Sequence, residues 1–200
     1  MSQVQQEKAE LRARLLAARS SLDAERRREA GRAIRDTLLS LPALQMAGTV
    51  AAYYSVGAEP DTRGLLYALW KRGTYVLLPL LRPDGDLDWA SYEGPDSLVP
   101  GPRRLLEPGE PPRGAAAVAR ADVVLVPALA ADGAGNRLGR GGGSFDRALA
   151  RVGPLIPVIA LLYDDELLSR VPAEAHDTPV RAAVRPGNGI TWLGAGPPDR

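Results

Sequence analysis

The sequence contains no cysteine and only one histidine, His176. These absences exclude disulfide bonds and zinc sites built from Cys and His, so a bound metal would be a hard cation with oxygen ligands, for which Mg²⁺ is the natural candidate. The 25 Lys and Arg residues nearly balance the 24 Asp and Glu residues and leave a net charge of +1. Because the whole molecule has no strong field to attract nucleic acid or an anionic membrane, any basic site must be local.

Long apolar runs are also missing. The N-terminus MSQVQQEKAELRARLLAARS is charged throughout, unlike a signal peptide, and no run approaches the roughly 18 apolar residues that a membrane span needs. We therefore expect a soluble, cytoplasmic protein that does not associate with membranes. Its 200 residues, 45% of them hydrophobic, predict one domain over 1–200 with frayed ends at 1–5 and 194–200.

The hydrophobic pattern predicts alternating helices and strands. Two amphipathic helices open the chain, the first over 6–19 and the second capped by Ser21, and further helices begin at Asp61 or Thr62 and at SFDRALARV. Buried strands are predicted at TVAAYYS (49–55), TYVLLPLL (74–81), VVLVPALA (123–130) and PVIALLY (157–163). This alternation indicates an α/β layered fold with a largely parallel central sheet. Residues 83–120, rich in Pro, Gly and Arg, predict an irregular excursion with one short strand, LDWASYE (87–93).

The most distinctive segment is the glycine-rich stretch GNRLGRGGGSFDRALAR, residues 135–151. Glycines between a strand and a helix allow successive backbone N–H groups to face one concavity, which favours phosphate binding over a simple flexible turn. Arg137 and Arg140 add cations to this loop. The segment matches neither the Walker A loop, since it has no lysine, nor the dinucleotide fingerprint, since Ser144 replaces the last glycine. It also lacks the G-x-S-x-G pattern of serine hydrolases.

The run GNRLGRGGGSFDR resembles the G-x-R-L-G-x-G-x-G-Y-Y-D motif of the 5-formyltetrahydrofolate cyclo-ligases. Three further segments agree in order and spacing: KAELR (8–12), YYSVGAEPDT (53–62) and EAHDTPV (174–180). The resemblance extends from Lys8 to about Val184. It implies a fold related to the ribose-5-phosphate isomerase and CoA-transferase group.

The resemblance also implies an activity. Enzymes of this family convert 5-formyltetrahydrofolate and ATP to 5,10-methenyltetrahydrofolate, ADP and phosphate with the help of Mg²⁺. The formyl oxygen attacks the γ-phosphoryl group, and N10 of the folate then closes the ring and expels phosphate. The expected partners are ATP and a reduced folate, with no nucleic acid. The protein is expected to be a monomer or a weak homodimer.

Site residues follow from the same resemblance. The implied ATP site consists of Lys8, Arg12, Arg137, Leu138, Gly139, Arg140, Gly141, Gly142, Gly143, Ser144 and Phe145. The implied folate site consists of Arg12, Tyr54, Glu59, Arg140, Gly141, Gly142, Gly143 and Ser144. Arg140 and Lys8 are the implied catalytic residues, and Asp146 and Asp177 are the implied Mg²⁺ ligands.

Without the resemblance, ordinary structural roles also explain several of these residues. Lys8 and Arg12, four residues apart, fit a solvated helix face, an interpretation that we keep for Arg14, Arg19 and the triplet 26–28. Glu59 and Asp146 fit acids near a helix N-terminus, and Asp177 fits a loop acid.

The chain departs from the motif at Ser144 and Phe145, where the family usually has two tyrosines. The missing ring motivates an alternative hypothesis, a divergent paralogue that uses ATP and Mg²⁺ on another formylated substrate. A third hypothesis is a nucleic-acid-binding or regulatory protein that uses the arginines of the first two helices. The near-zero net charge and the lack of aromatic residues among those arginines argue against it.

Overall fold

The computed structural model describes residues 2–194 and Gly196, so most of the predicted C-terminal fraying lies outside the described residues. The helices are α1 (Gln3–Ser20), α2 (Ala24–Ser40), α3 (Pro42–Gln45), α4 (Arg63–Lys71) and α5 (Ser144–Leu149). Helix α1 begins with a capping box between Ser2 and Gln5, so residues 3–5, where we expected fraying, form its first turn. Within the described residues, no helix is both long and apolar enough to cross a membrane.

Twelve strands are present in the described part of the chain. They are β1 (Thr49–Ala51), β2 (Tyr75–Leu81), β3 (Leu87–Ser91), β4 (Leu98–Pro100), β5 (Leu106–Pro108), β6 (Val123–Pro127), β7 (Ala130–Asp132), β8 (Arg137–Leu138), β9 (Val158–Leu161), β10 (Leu167–Leu168), β11 (Ala182–Arg185) and β12 (Gly189–Trp192). Seven of them form the main sheet in the order β12-β11-β9-β6-β1-β2-β3. The five inner strands are parallel, and both edge strands pair antiparallel. The predicted α/β fold with a largely parallel sheet is therefore confirmed.

Helices cover both faces of this sheet. Helices α2 and α4 bury residues such as Ile34, Leu38 and Leu66 against one face, where the inner strands contribute Val50 and Leu125. On the other face, α5 packs Ala148 and Leu149 against side chains that include Trp89 of β3. Alternate residues of a strand point to opposite faces, so two separate cores form around one sheet.

Helix α1 packs away from the main sheet. Its Leu15 contacts a third cluster with Leu129, Leu138 and Val171, beside the small sheet in which β7 pairs with β8 and β10. The first helix thereby reaches the strand that leads into the glycine-rich segment. Residues far apart in sequence, near positions 8–19 and 137–146, come together for this reason.

Some sequence predictions of element bounds are wrong. Helix α2 is capped by Asp23, whose side chain accepts a hydrogen bond from the Arg26 N–H at 2.8 Å, and not by Ser21. Ser21 cannot serve because it is the helical C-cap residue of α1. Helix α5 has only six residues, so it is shorter than SFDRALARV predicted. The excursion contains, besides β3, an antiparallel hairpin of β4 and β5 that the sequence did not predict.

Candidate active site

A cavity of about 760 Å³ opens at the carboxyl ends of the parallel strands. Tyr53 follows β1, Leu81 ends β2 and Pro127 ends β6, and all three residues line it. Such a position is typical of ligand sites in α/β sheets. Every predicted site residue lines this cavity: Lys8, Arg12, Tyr54, Glu59, Arg137, Leu138, Gly139, Arg140, Gly141, Gly142, Gly143, Ser144, Phe145, Asp146 and Asp177. Four separate segments of the sequence are therefore brought to one place.

The backbone of the glycine-rich loop, residues 139–143, has room for a side chain at some positions and not at others. Gly141 has a φ of 98° and Gly143 a φ of 67°, a region that favours glycine. A Cβ on Gly139 would lie 2.9 Å from a guanidinium nitrogen of Arg137. Gly142 has an ordinary φ and open space around it, because an added Cβ would meet only Ser144 Oγ at 3.7 Å. The loop therefore depends on Gly141 and Gly143 for its shape.

Arg137 and Asp146 form an ion pair at the base of this loop. The Arg137 Nη2 lies 2.6 Å from Asp146 Oδ1, and only 3% of the arginine side chain is exposed. Thr178 N–H also points at Asp146 Oδ1, at 3.4 Å. Among the described residues, the hydrogen bonds of this carboxylate all go to Oδ1. Its other oxygen is therefore the one that could bind a cation in the cavity.

Lys8 is buried, and its ammonium group contacts two carboxylates. Its Nζ lies 2.6 Å from Asp177 Oδ2 and 2.8 Å from Glu174 Oε2. Burial by itself lowers the pKa of Lys8, but the hydrogen bonds to Asp177 and Glu174 outweigh it and raise this pKa. Burial raises the pKa of Asp177, but the hydrogen bonds from Lys8 and the Glu174 N–H outweigh burial and lower that pKa. Both groups are thus held in their charged forms.

Arg12 and Arg140 extend the cationic surface of the cavity. The Arg12 Nε donates to the carbonyl of Gly139 at 2.9 Å, so helix α1 contacts the glycine-rich loop directly. The Arg140 Nε lies 3.2 Å from Glu59 Oε1, and about half of the arginine side chain is exposed. Burial raises the pKa of Glu59, although the Val56 N–H and the Arg140 charge oppose this rise. Arg140 therefore connects the loop to the carboxylate predicted to bind folate.

The group of residues 174–177 offers a possible cation site. Side-chain ligand atoms of Glu174, His176 and Asp177 lie within 4.8 Å of one another in the described part of the chain. Lys8 already binds both carboxylates of this group, so a cation bound to all three side chains would have to displace the lysine. Asp146 and Asp177 line the same cavity and provide the hard oxygen donors that Mg²⁺ prefers.

The sequence profile of the 5-formyltetrahydrofolate cyclo-ligase family matches residues 4–186. The chain belongs to this family. The 5-formyltetrahydrofolate cyclo-ligase of Mycolicibacterium smegmatis is 41% identical over 192 residues, covering 93% of this chain and 97% of the relative. That of Escherichia coli is 33% identical over 181 residues, with 87% and 97% covered.

A solved structure agrees with this assignment to the cyclo-ligase family. The NMR structure of Aquifex aeolicus 5,10-methenyltetrahydrofolate synthetase superimposes on this chain with a TM-score of 0.82. The two sequences are 29% identical, and the match covers 96% of both chains. The family resemblance inferred from four short motifs is therefore confirmed over nearly the whole fold.

Ser144, which departs from the cyclo-ligase motif, has a structural role in this protein. Its Oγ donates to the carbonyl of Gly85 at 2.6 Å, and Arg147 Nη2 reaches the same carbonyl at 2.6 Å. Gly85 lies in the turn between β2 and β3. The residue that replaces the family tyrosine thus ties the glycine-rich loop to that turn.

Our interpretation of Arg19 as a solvated residue is wrong. Arg19 is only 2% exposed and forms two hydrogen bonds to Glu166, at 2.7 and 2.8 Å, and one to the Ala128 carbonyl. A signal was available, because Lys8, Arg12, Leu15 and Arg19 follow the spacing of one helix face. The cationic stripe on α1 faces the protein and not the solvent.

Sequence reasoning also missed the residues of the excursion that line the cavity. These are Leu87, Arg103, Leu105, Leu106 and Glu107, and they line the cavity together with Leu81 at the end of β2. The hairpin residues have a weak sequence signal, since the hairpin strands have only three residues each and no helical or strand periodicity identifies them. Leu81, Leu87, Leu105 and Leu106 form what we call the apolar end of the cavity.

Proposed function

We propose that this chain is an enzyme that converts 5-formyltetrahydrofolate and ATP to 5,10-methenyltetrahydrofolate, ADP and phosphate. Family membership supports the reaction. The observation that carries the proposal is the convergence of α1, the Tyr54–Glu59 segment, the glycine-rich loop and Asp177 on one cavity of about 760 Å³. A cavity of this size is in the range of small-molecule sites.

The charged end of the cavity suits the phosphates of ATP. The loop supplies backbone N–H groups, and Lys8, Arg12, Arg137 and Arg140 supply cations around it. Since α5 is only one and a half turns long, we assign phosphate binding to the loop and the cations and not to a helix dipole. Phosphoryl transfer needs positioning and charge neutralisation more than an enzyme nucleophile, which fits these residues.

Asp146 and Asp177 are the proposed Mg²⁺ ligands. Both carboxylates line the cavity beside the cations that would contact ATP phosphates. A bound Mg²⁺ would neutralise charge on the phosphates. Lys8, released from Asp177, would then be available to bind a phosphate oxygen.

The apolar end of the cavity, together with Glu59, suits the reduced folate. Glu59 is a buried acceptor, matched to the N–H edge of a pterin, and Tyr54 lines the same cavity. Leu81, Leu87 and Leu106 provide an apolar wall for the rest of the substrate. The two ends meet at Arg140, which already contacts Glu59.

The proposed chemistry is the one that the family resemblance implies. The formyl oxygen attacks the γ-phosphorus of ATP, and the bond to ADP breaks. N10 of the folate then attacks the formyl carbon and loses its proton, and the oxygen leaves as part of phosphate. In this proposal, Arg140 stabilises the negative charge on the transferring group and Lys8 stabilises the nucleotide phosphates.

The direct test is an absorbance assay for methenyltetrahydrofolate formed from 5-formyltetrahydrofolate, with and without ATP. We expect product only with ATP, together with one ADP per product. Absence of product in a folded protein that binds ATP would favour the alternative, a paralogue that acts on another formylated substrate. Salt-sensitive binding of RNA or DNA would instead favour the third hypothesis.

The metal ligands have a test of their own. Asp146→Asn and Asp177→Asn should raise the Mg²⁺ concentration needed for half-maximal turnover more than the KM for folate. Asp36→Asn, on the exposed side of α2, is the control. An unchanged Mg²⁺ requirement in both site variants would remove these residues from the metal site.

Other sequence predictions stay predictions: a relation to the ribose-5-phosphate isomerase and CoA-transferase group, a cytoplasmic location, one domain over residues 1–200, and a monomer or weak homodimer without nucleic acid or membrane partners. Sedimentation at several protein concentrations tests the oligomeric state directly.

A further inference from the structure

Glu107 is a buried carboxylate that the proposed reaction does not use. It lies on β5, is 8% exposed, and lines the apolar end of the cavity. Within the described residues it belongs to no ion pair, although buried carboxylates usually have one. Its Oε1 accepts a hydrogen bond from the backbone N–H of Leu81 at 2.8 Å. This contact joins the hairpin to the last residue of β2.

The pairing of β2 with β3 explains why the Leu81 N–H needs a partner. The Arg82 N–H donates to Asp86, and the Tyr92 N–H donates to Val76, so hydrogen-bonded pairs fall at the even positions of β2. Leu81 lies between them, and its N–H therefore points away from β3, toward β1. Strand β1, however, pairs with β2 only as far as Leu77. The Leu81 N–H thus extends past the end of its neighbouring strand.

The same side of β2 has one other position beyond Leu77, which is Pro79. Proline has no N–H, so this position needs no partner. Leu81 does need one, and the carboxylate of Glu107 provides it. Among the described residues, the Leu81 N–H is therefore the only N–H on this stretch of the edge of β2. The hairpin attaches to the sheet at this group.

Gly101 shows how closely the carboxylate is held. A Cβ at this position would lie 2.4 Å from Glu107 Oε2 and 2.6 Å from its Cδ. The carboxylate thus packs directly against the backbone at the end of β4, where Gly101 N–H bonds the Leu105 carbonyl. Any larger residue at 101 would displace Glu107.

We propose that Glu107 is a positioning residue for the reduced folate. By binding the Leu81 N–H, it holds the hairpin Leu98–Pro108 against the end of β2 and sets the distance between two apolar walls of the cavity. One wall carries Leu105 and Leu106, and the other carries Leu81 and Leu87. This inference rests on the proposed function, because the apolar end is where the folate is expected to bind.

Three variants test whether the acceptor oxygen of Glu107, and not its charge, positions the hairpin. Glu107→Gln keeps an acceptor oxygen in the same place, Glu107→Leu removes it, and Gly101→Ala displaces the native carboxylate. We expect Glu107→Leu and Gly101→Ala to raise the KM for 5-formyltetrahydrofolate about tenfold, with the KM for ATP and kcat changed by less than about threefold. Glu107→Gln should restore nearly normal values. Glu110→Leu, at a glutamate outside the cavity, is the matched control.

Hydrogen exchange of the Leu81 amide provides a readout that does not depend on activity. This amide should be protected in the parent protein and in Glu107→Gln, and should exchange much faster in Glu107→Leu and Gly101→Ala. Unchanged protection in Glu107→Leu would overturn the assigned contact. An unchanged folate KM, or an equal rise in the ATP KM, would overturn the positioning role while leaving the proposed function intact. If the parent protein shows no folate turnover, the proposed function fails, and the role of Glu107 in positioning folate fails with it. Hydrogen exchange of the Leu81 amide still shows whether Glu107 binds this amide.

Discussion

The two ends of the cavity are built in different ways. At the charged end, each cation contacts an oxygen of the protein: Lys8 contacts Asp177, Arg137 contacts Asp146, and Arg140 contacts Glu59. At the apolar end, a pair of three-residue strands is tied to the sheet by the bond from the Leu81 N–H to Glu107, with no second hydrogen bond to the sheet among the described residues of β4 and β5. A ligand at the charged end must therefore exchange partners with existing ion pairs, whereas a ligand at the apolar end only needs walls at the right distance.

This difference predicts which kinetic parameter each substitution changes. Variants at the charged end should affect ATP binding and turnover, and variants at the apolar end should affect the KM for folate. Arg140 is the exception, because it extends from the glycine-rich loop and contacts Glu59, the carboxylate proposed to bind folate. The predictions below run from the largest expected effect to the smallest.

Arg140→Ala should have the largest effect, because it removes the cation that lies between the two ends. We expect kcat/KM to fall by about 100-fold to 1,000-fold, as for loss of a group that stabilises transition-state charge. Steady-state kinetics with each substrate varied in turn measures it. Arg120→Ala, at an exposed residue outside the cavity, is the control. If Arg140→Ala changes only the folate KM, Arg140 acts through Glu59 alone and is not a catalytic residue.

Gly141→Ala should weaken ATP binding more than folate binding. A side chain at a φ of 98° strains the loop backbone, and a cost of about 1–2 kcal/mol corresponds to a rise of roughly tenfold in the KM for ATP. Gly142→Ala is the matched control, because its φ is ordinary and its surroundings are open. Equal effects of the two substitutions would show that crowding by the added methyl group, and not backbone strain, raises the KM for ATP.

The KM for folate should depend on the ionisation of Glu59. Burial raises the pKa of Glu59 above its usual 4.5, so lowering the pH through that raised value protonates the proposed acceptor of the pterin N–H groups. We expect the folate KM to rise several-fold over this pH window, while the ATP KM stays nearly constant. In Glu59→Gln, the KM should be high and independent of pH over the same window. A pH profile unchanged in that variant would assign the titration to another group.

Glu59 should also affect stability, with a definite sign. An acid whose folded pKa is raised binds more protons when folded, so its contribution to the free energy of unfolding decreases as the pH rises from 4.5 through the folded value. Glu59→Gln should therefore raise the unfolding temperature at pH 7 while weakening folate binding. A fall in that temperature would mean that the contact with Arg140 outweighs the cost of burial.

Tyr53→Phe should have the smallest effect and should stabilise the protein. The Tyr53 hydroxyl is buried and has no hydrogen-bond partner among the described residues, so its removal relieves an unfavourable burial of about 1 kcal/mol. Thermal unfolding should show a Tm higher by about 2–4 °C. Tyr163→Phe is the control, because the Tyr163 hydroxyl donates to the Ala58 carbonyl. A lower Tm for Tyr53→Phe would show that the hydroxyl has a partner in solution.

The amino-acid sequence alone predicted five of the seven strands of the central sheet, all but β11 and β12, and it identified residues that line the charged end of the cavity. Buried strands such as β2 and β6 are continuous apolar runs, and the glycines around Gly141 mark a backbone conformation that few other residues adopt. These signals are local, because strand propensity and glycine conformation depend on neighbouring residues. The ordered motifs from Lys8 to Asp177 added the family, and hence residues that must meet in space.

Only the tertiary structure decided what those residues contact. The burial of Arg19 against Glu166 joins positions 147 residues apart, and the bond from Leu81 to Glu107 depends on where β1 ends beside β2. A carboxylate on a short hairpin has no periodic pattern that distinguishes it from an exposed one. Its burial follows from the register of strands elsewhere in the sheet, because that register determines which backbone N–H groups still need an acceptor.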